Sequence, residues 1–288
     1  MLSHRMRFAE CRSRRPAGVP ASALLVWVLA ALALSPADAE AQRVRRSRYV
    51  TPPQGLPDVP GEFTFCRLAY TSVRRDGSGN GWDTDYPEGE RNLLLRIVEL
   101  TRVRASSWSH GEPGYAVIRA TDPELFRSPF IMATDVGELG FRPEEMEPLR
   151  EYFARGGFFW ADDFWGSVGW QHFSEEIRRL LPDHKLVQLT IEDPLFSTLY
   201  VIPEIPQIPS INSWRSSGGA TSELGADSAI PAVWAVLDEK DRMVILITHN
   251  TDISDGWERE AYDDRYFIDF SPRAYAMAVN VLMWAMSR

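Results

Sequence analysis

The chain has 288 residues, of which 44% are apolar and 25% charged, and its formal net charge is −9. These are ordinary globular proportions, so global disorder, collagen-like periodicity and solenoid repeats are excluded. The acid excess argues against nucleic acid as a partner, because a phosphate backbone needs a basic face.

The N-terminus carries an address. A basic stretch, Arg5–Arg15, precedes the apolar run Ala21–Leu34, then Pro36 and small residues, which predicts a secretory signal cleaved after Ala39 or Ala41. The run is short for a membrane span of roughly 20 residues. Export to the periplasm or beyond is therefore expected, with an uncleaved inner-membrane anchor as the alternative. Loss of residues 1–39 removes five arginines and two acids and leaves a charge of about −12. Only Cys66 then remains, inside an apolar run, where it reads as a small buried residue. Residues 40–60 are basic, then proline-rich, and read as a linker. Its Arg43, Arg45, Arg46 and Arg48 form a solvated tail, with contact to anionic lipid as the other reading. Membrane contact is expected only through an uncleaved leader or this linker.

From Gly61 the pattern alternates strand and helix. Phe63–Tyr70 reads as a strand, and Asp85 with Glu88 as a capping box opening a helix to about Arg102, with Leu94, Ile97, Val98 and Thr101 on one face. Tyr115–Arg119 and Pro129–Thr134 are short strands. Met146, Leu149 and Phe153 mark a helix stopped at Gly156-Gly157, and Pro148 predicts that it starts late or bends. Gly157–Ala161 is apolar throughout, as buried parallel strands are. Phe173, Ile177, Leu180 and Leu181 make a helix ended by Pro182, and Leu186–Ile191 is a strand. Residues 193–229, rich in Pro, Gly and Ser, form an insertion or lid. Val233–Leu237 and Met243–Thr248 read as a hairpin, and Ser271-Pro272 as the start of a buried helix to Met286. The alternation predicts an α/β fold, a three-layer, doubly wound, mostly parallel sheet of flavodoxin-like kind spanning 61–288.

In such sheets ligands bind beyond the carboxyl ends of the strands. Four polar groups fall there: Asp135; Asp162-Asp163; Thr248–Asp252 running on to Asp255-Gly256-Trp257-Glu258; and the loop Trp82–Tyr86. Adjacent carboxylates repel, and persist where they bind a cation, share a proton or meet backbone amides. Asp162, Asp163 and His249 are the candidate catalytic residues. Trp82, Asp83, Asp85, Asp135, Trp165, Asn250, Asp252 and Trp257 are the candidate ligand-binding residues, the three tryptophans as an aromatic wall. A divalent ion on Asp162, Asp163 and His249 is chemically reasonable, although no HxH, HExxH or CxxC spacing supports it. No nucleophile elbow, P-loop or G-x-G-x-x-G is present, so no cofactor is expected. Gly77-Ser78-Gly79-Asn80-Gly81 reads as a flexible loop.

In this order, Trp82-Asp83-Thr84-Asp85-Tyr86-Pro87, the string GGFFWADDF (Gly156–Phe164), Asp193-Pro194-Leu195-Phe196 and His249-Asn250 with Gly256-Trp257 resemble the bacterial family called domain of unknown function 4159. The likeness covers roughly Glu62–Met286. That family is similar to class I glutamine-amidotransferase-like domains, which implies a flavodoxin-like sheet and a site where those enzymes carry a glycine-flanked Cys on a sharp turn. Asp162 and Asp163 stand there instead, and Asp193 replaces a frequent His. Glutaminase chemistry needs that thiol. The expected function is thus a non-catalytic module binding a small molecule or an envelope protein through an acidic, aromatic cleft. The alternatives are a hydrolase using Asp162 or Asp163 with His249, with or without a metal, and an interaction domain working through the insertion.

Overall fold

The computed structural model describes residues 55–57, 62–75, 79–108, 111 and 113–287. The expected leader, the linker up to residue 54, Gly77, Ser78 and His110 lie outside the described residues. Among the described residues no helix is long and apolar enough to cross a membrane.

The elements in chain order are β1 (Phe65–Leu68), β2 (Thr71–Ser72), α1 (Glu88–Leu100), β3 (Tyr115–Ile118), β4 (Phe130–Ala133), β5 (Leu139–Gly140), α2 (Pro143–Ala154), β6 (Phe158–Ala161), α3 (Gly166–Leu180), β7 (Lys185–Gln188), α4 (Ile211–Ser216), β8 (Ala232–Leu237), β9 (Met243–His249), α5 (Asp255–Glu258) and α6 (Asp264–Met286). Seven strands form one sheet in the order β3-β1-β4-β6-β9-β8-β7, and β2 pairs with β5 apart from it. The first five are mutually parallel; β8 runs against β9, and β7 against β8. Chain length between strands explains the split. Helices α1 and α2 supply the long crossovers that parallel pairing requires, whereas residues 238–242 allow only a hairpin.

Period-two alternation divides the core into two layers. Phe130, Met132, Phe158 and Trp160 face α1 and α6, while Ile131, Ala133, Phe159 and Ala161 face α2 and α3. Both faces of the central strands are therefore covered, which is why β4 and β6 are apolar at every position. The same register sets the functional rim. Ala133 pairs with Ala161 and Ala161 with Ile247, so β4 and β6 finish level and β9 runs on two residues beside their ends. Thr134-Asp135, Asp162-Asp163 and Thr248-His249-Asn250 emerge side by side.

Several expected boundaries move for identifiable reasons. Asp85 does not cap α1; Pro87 holds that position with no side-chain bond, and Asp85 sits in a left-handed conformation two residues earlier. The buried stripe of α1 is Leu93, Leu94 and Ile97, whereas Val98 is 50% exposed. Helix α2 begins at Pro143, not late, because Pro tolerates the first turn and the Glu145 carboxylate accepts the Arg142 N–H at 2.8 Å. The last helix starts seven residues before Ser271, at Asp264. Asp263 caps it, accepting the N–H groups of Arg265 (3.0 Å) and Tyr266 (3.2 Å), and Pro272 is absorbed inside. We expect Asp263→Ala to cost about 1 kcal/mol in chemical denaturation. No loss at all would place the true start further along.

The insertion contains only α4 and two single-turn 3-10 segments, Pro194–Ser197 and Gly225–Ser228. Asn280, buried within α6, anchors its first part: its Oδ1 accepts the Leu199 and Tyr200 N–H groups at 3.0 and 2.8 Å.

Candidate functional site

The rim gathers acids from four chain-distant segments. One oxygen each from Asp85, Asp163 and Asp252 lies within 4.8 Å of the others, and Asp85 meets Asp255 and Glu258 in the same way. All five are buried, Asp163 to 5% and Asp252 to 3% exposure. Asp85, Asp135, Asp163 and Asn250 have φ between 54° and 66°, the left-handed region that ordinary side chains avoid and that Asp and Asn tolerate best. Each is the residue at which the chain turns sharply toward the rim. Short polar side chains at strand ends are thus explained locally before any ligand is invoked.

Asp162 and Asp163, neighbours in sequence, have different surroundings. Asp162 is locked: its Oδ1 accepts the Thr248 hydroxyl at 2.5 Å, and its Oδ2 accepts the Ser254 N–H at 3.0 Å. The Trp160 indole donates to that same Thr248 hydroxyl at 3.0 Å, tying the lock to the core. Asp163 accepts only a long bond from the Trp165 indole, 3.3 Å, and otherwise faces Asp85 and Asp252. Beside them the Ser254 hydroxyl has three carboxylate oxygens in reach: Asp85 at 2.9, Asp252 at 3.0 and Asp162 at 3.2 Å. A hydroxyl carries one proton. The Asp162 oxygen also accepts the Ser254 N–H and the Asp252 oxygen the Asp255 N–H at 2.9 Å, so the hydroxyl proton is left for Asp85.

Fixed cations serve the neighbouring acids. Arg67, fully buried on β1, pairs with Glu90, and Arg259 pairs with Glu258 and Asp255. Asp85, Asp163 and Asp252 have no arginine or lysine in ion-pair range among the described residues. Burial is the main reason that Asp85, Asp162, Asp163, Asp252, Asp255 and Glu258 bind their protons more tightly than usual. It pushes Asp162 and Asp255 up to about 6, and, with Asp85 and Asp255 repelling it, Glu258 to about 10. Asp163 and Asp252 rise well above the carboxylate range, first by burial, then by repulsion from Asp85 and Asp135 on Asp163 and from Asp163 and Asp85 on Asp252.

A raised carboxylate makes the folded state the better proton binder, so its penalty is absent below the ordinary range near pH 4 and complete once pH passes the folded value. For Asp162 and Asp255 that window closes at about pH 6, with about 3 kcal/mol at stake per group, and Glu258 extends it. Asp227, Asp238 and Asp263, held below the ordinary value, titrate beneath the window, and only His249, lowered from 6.5 by burial, opposes it as a single group below that pH. Chelator-treated protein should therefore show a falling urea midpoint between about pH 5 and about pH 8. A rising midpoint would contradict the placement of these acids.

Other expected site residues are placed differently. His249 shares the rim but not the acids: its Nε2 lies 3.0 Å from the Gly166 carbonyl, and its ring packs between Phe164 and Trp170, at 4.7 and 5.2 Å. Burial lowers its proton affinity, and the carboxylate that acts on it is Asp227. An ion shared by Asp162, Asp163 and His249 is thus not what the geometry brings together. Asn250 is structural, accepting the Gly166 N–H at 2.8 Å and donating to the Ile230 carbonyl at 2.9 Å. Asp135 accepts the Gly81 N–H at 2.7 Å, and Gly79 allows that approach, since a Cβ there would sit 2.3 Å from the Asp135 carboxylate. Asp83 is exposed. The aromatic wall does not form. Trp257 is 1% exposed and packs on Trp160, Trp165 is buried with its indole on Asp163, and Trp82 packs against Tyr86 and the core facing α2 and α3. Cys66 is fully buried, which pushes its thiol up to about 12 and leaves it unreactive.

Sequence reasoning missed Arg67, Glu90 and Ser254. Arg67 had a signal: it is the one charge inside the apolar run Phe63–Tyr70. It donates to the Thr84 carbonyl at 2.9 Å and the Thr134 hydroxyl at 2.7 Å, so it fixes the loop that carries Asp85.

Comparison with curated proteins finds no match. The family model described as Domain of unknown function (DUF4159) matches residues 64–286, most of the chain, and the protein belongs to that family.

Proposed function

We propose that this chain is a non-catalytic binding module whose rim holds a hard divalent cation on Asp85, Asp163 and Asp252. The observation that carries the reading is the convergence of one oxygen each from Asp85, Asp163 and Asp252 within 4.8 Å, all buried and with no arginine or lysine in ion-pair range among the described residues. An ion on the adjacent oxygens removes the repulsion that burial makes costly. The donors are all carboxylate or hydroxyl oxygens, a set that suits Ca²⁺, Mg²⁺ or Mn²⁺ better than zinc or copper. Export, argued from residues 1–39, would place the site where weak calcium affinity suffices.

The strand order supports the reading. Numbered by first appearance, the five parallel strands run 2-1-3-4-5, the order of a flavodoxin-like sheet. Asp163, at φ 55°, lies on the turn from β6 into α3, a strand-to-helix turn of the kind on which an amidotransferase-like domain would present its thiol. We read the chain as a relative of such domains in which a cation-binding carboxylate stands where the nucleophile stood, the bound ion serving to engage a small molecule or partner protein.

Calorimetry and thermal shift on chelator-treated protein test this, using CaCl₂, MgCl₂ and MnCl₂ as probes. One equivalent of at least one ion should bind. At a hundredfold excess over Kd it should add about 3 kcal/mol, which raises the melting temperature by roughly 5–10 °C. His249→Gln should bind as the wild type does. Absence of binding by all three ions at about 10 mM would end the proposal.

A further inference from the structure

The three carboxylates are closed off, at 8%, 5% and 3% exposure for Asp85, Asp163 and Asp252. An ion with its own hydration shell cannot pass a cover that never moves. The element lying against two of the three ligand-bearing loops, those of Asp163 and Asp252, is the stretch from Gln207 to Ser228. Its Ile208 carbonyl accepts the Asp252 N–H at 2.8 Å, and the Ile208 N–H donates to Thr251 Oγ1 at 3.0 Å. The Ile211 N–H donates to Asp255 Oδ2 at 2.6 Å, and the Gln207 amide donates to the Asn250 carbonyl at 3.1 Å. At the other end, Asp227 accepts the Ser167 N–H at 2.9 Å and its hydroxyl at 3.1 Å, just after the Asp163 turn. The charge of Glu223 is close enough to raise Asp163 further.

None of this stretch pairs into the sheet, and its only helix is the six-residue α4. Residues 215–220 are exposed, and Gly218, Gly219 and Gly225 adopt left-handed φ, with open space around Gly218 and Gly225. Apolar anchors fix its first part, since Ile208 and Ile211 are buried in the core and Trp214 packs on Tyr266 and Phe270. Residues 215–227 bury none of their side chains and open at lower cost than the buried strands beneath.

We infer that residues 207–228 form a strap that gates the carboxylate site, and that a bound cation closes it. The inference rests on the cation reading above. Four of the pins are borne by residues 250–255, the loop carrying Asp252. Whatever immobilises Asp252 therefore immobilises the groups that hold the strap, and by reciprocity a fastened strap slows release of the ion. The strap is thus the part of the molecule whose state reports occupancy, and through which an ion or a larger ligand reaches the rim.

Hydrogen exchange with mass spectrometry, on the full chain with and without CaCl₂, MgCl₂ or MnCl₂, tests the coupling. The ion should slow exchange in peptides covering 207–228 by about tenfold, while peptides of α2, on the far face, stay unchanged. Asp227→Asn, which weakens the Ser167 pin away from the ion, should speed ion release into a chelator several-fold with binding retained. Ion binding with no change in strap exchange, or an unaltered release rate in Asp227→Asn, would overturn the strap and spare the cation site. No ion binding at all would overturn both.

Discussion

Asp163→Asn will make the ion-free protein more stable and, at the same time, blind to divalent ions. The two effects have opposite sign in wild-type terms, which makes the variant diagnostic. At neutral pH the folded protein must either hold Asp163 charged beside Asp85 and Asp252 or keep it protonated against solution, and burial makes both costly. Asparagine removes that penalty, expected at about 1–3 kcal/mol as for an unsatisfied buried polar group, or roughly 2–10 °C in the melting temperature without ion. Asparagine is also the replacement that leaves the backbone intact, since φ at Asp163 is 55° and Asn tolerates the left-handed region where alanine would add strain. With calcium or magnesium present the ranking should reverse or close, because only the wild type gains from the ion. Thermal melts of both proteins, with chelator and with excess ion, give the four numbers required. An Asn variant less stable than the wild type in chelator would show that the cluster is not under electrostatic tension.

Arg67→Met should be the most destabilising single change near the site, at about 3–5 kcal/mol by urea denaturation. The arginine is 1% exposed and neutralises Glu90, itself fully buried. Its guanidinium also donates to the Thr84 carbonyl and Thr134 hydroxyl, joining β1, the end of β4 and the Asp85 loop. Methionine fills much of the volume but strands the Glu90 charge, and a buried charge without its partner costs far more than the pair contributes. The double variant Arg67→Met with Glu90→Gln should recover at least about 1–2 kcal/mol, because the stranded charge is gone. Ion affinity should stay weakened in the double variant, since the loop holding Asp85 has lost its anchor. A cost below about 1 kcal/mol for Arg67→Met would mean that Glu90 is neutral in the folded state.

The layers of the fold were legible in the chain because they depend on local periodicity. The unbroken apolar runs Phe130–Ala133 and Phe158–Ala161 announce strands covered on both faces, and the short turn after Leu237 announces an antiparallel hairpin. Helix starts were less legible. Asp85 and Ser271 looked like caps, but Asp85 is drawn into the rim, and Asp263 caps the last helix in place of Ser271. Composition and spacing also marked which acids stand at strand ends, and Asp85, Asp135, Asp162, Asp163 and Asp252 do gather there. Yet spacing carries no information about direction. Whether a side chain at a strand end turns toward its neighbours or into a helix layer depends on the face it occupies and on the φ of its own residue. That is why His249, level with Asp163 in the sheet, ends up between Phe164 and Trp170, and why Asp162 is spent on Thr248 and Ser254 while Asp163 remains open to Asp85 and Asp252. The tryptophans follow the same rule: large apolar rings beside polar loops turn inward, because burying them gains more than a solvent-facing wall would. Sequence alone thus determined the α/β architecture and the rim on which the acids lie; tertiary packing decided which of those acids face one another with no cation in ion-pair range among the described residues.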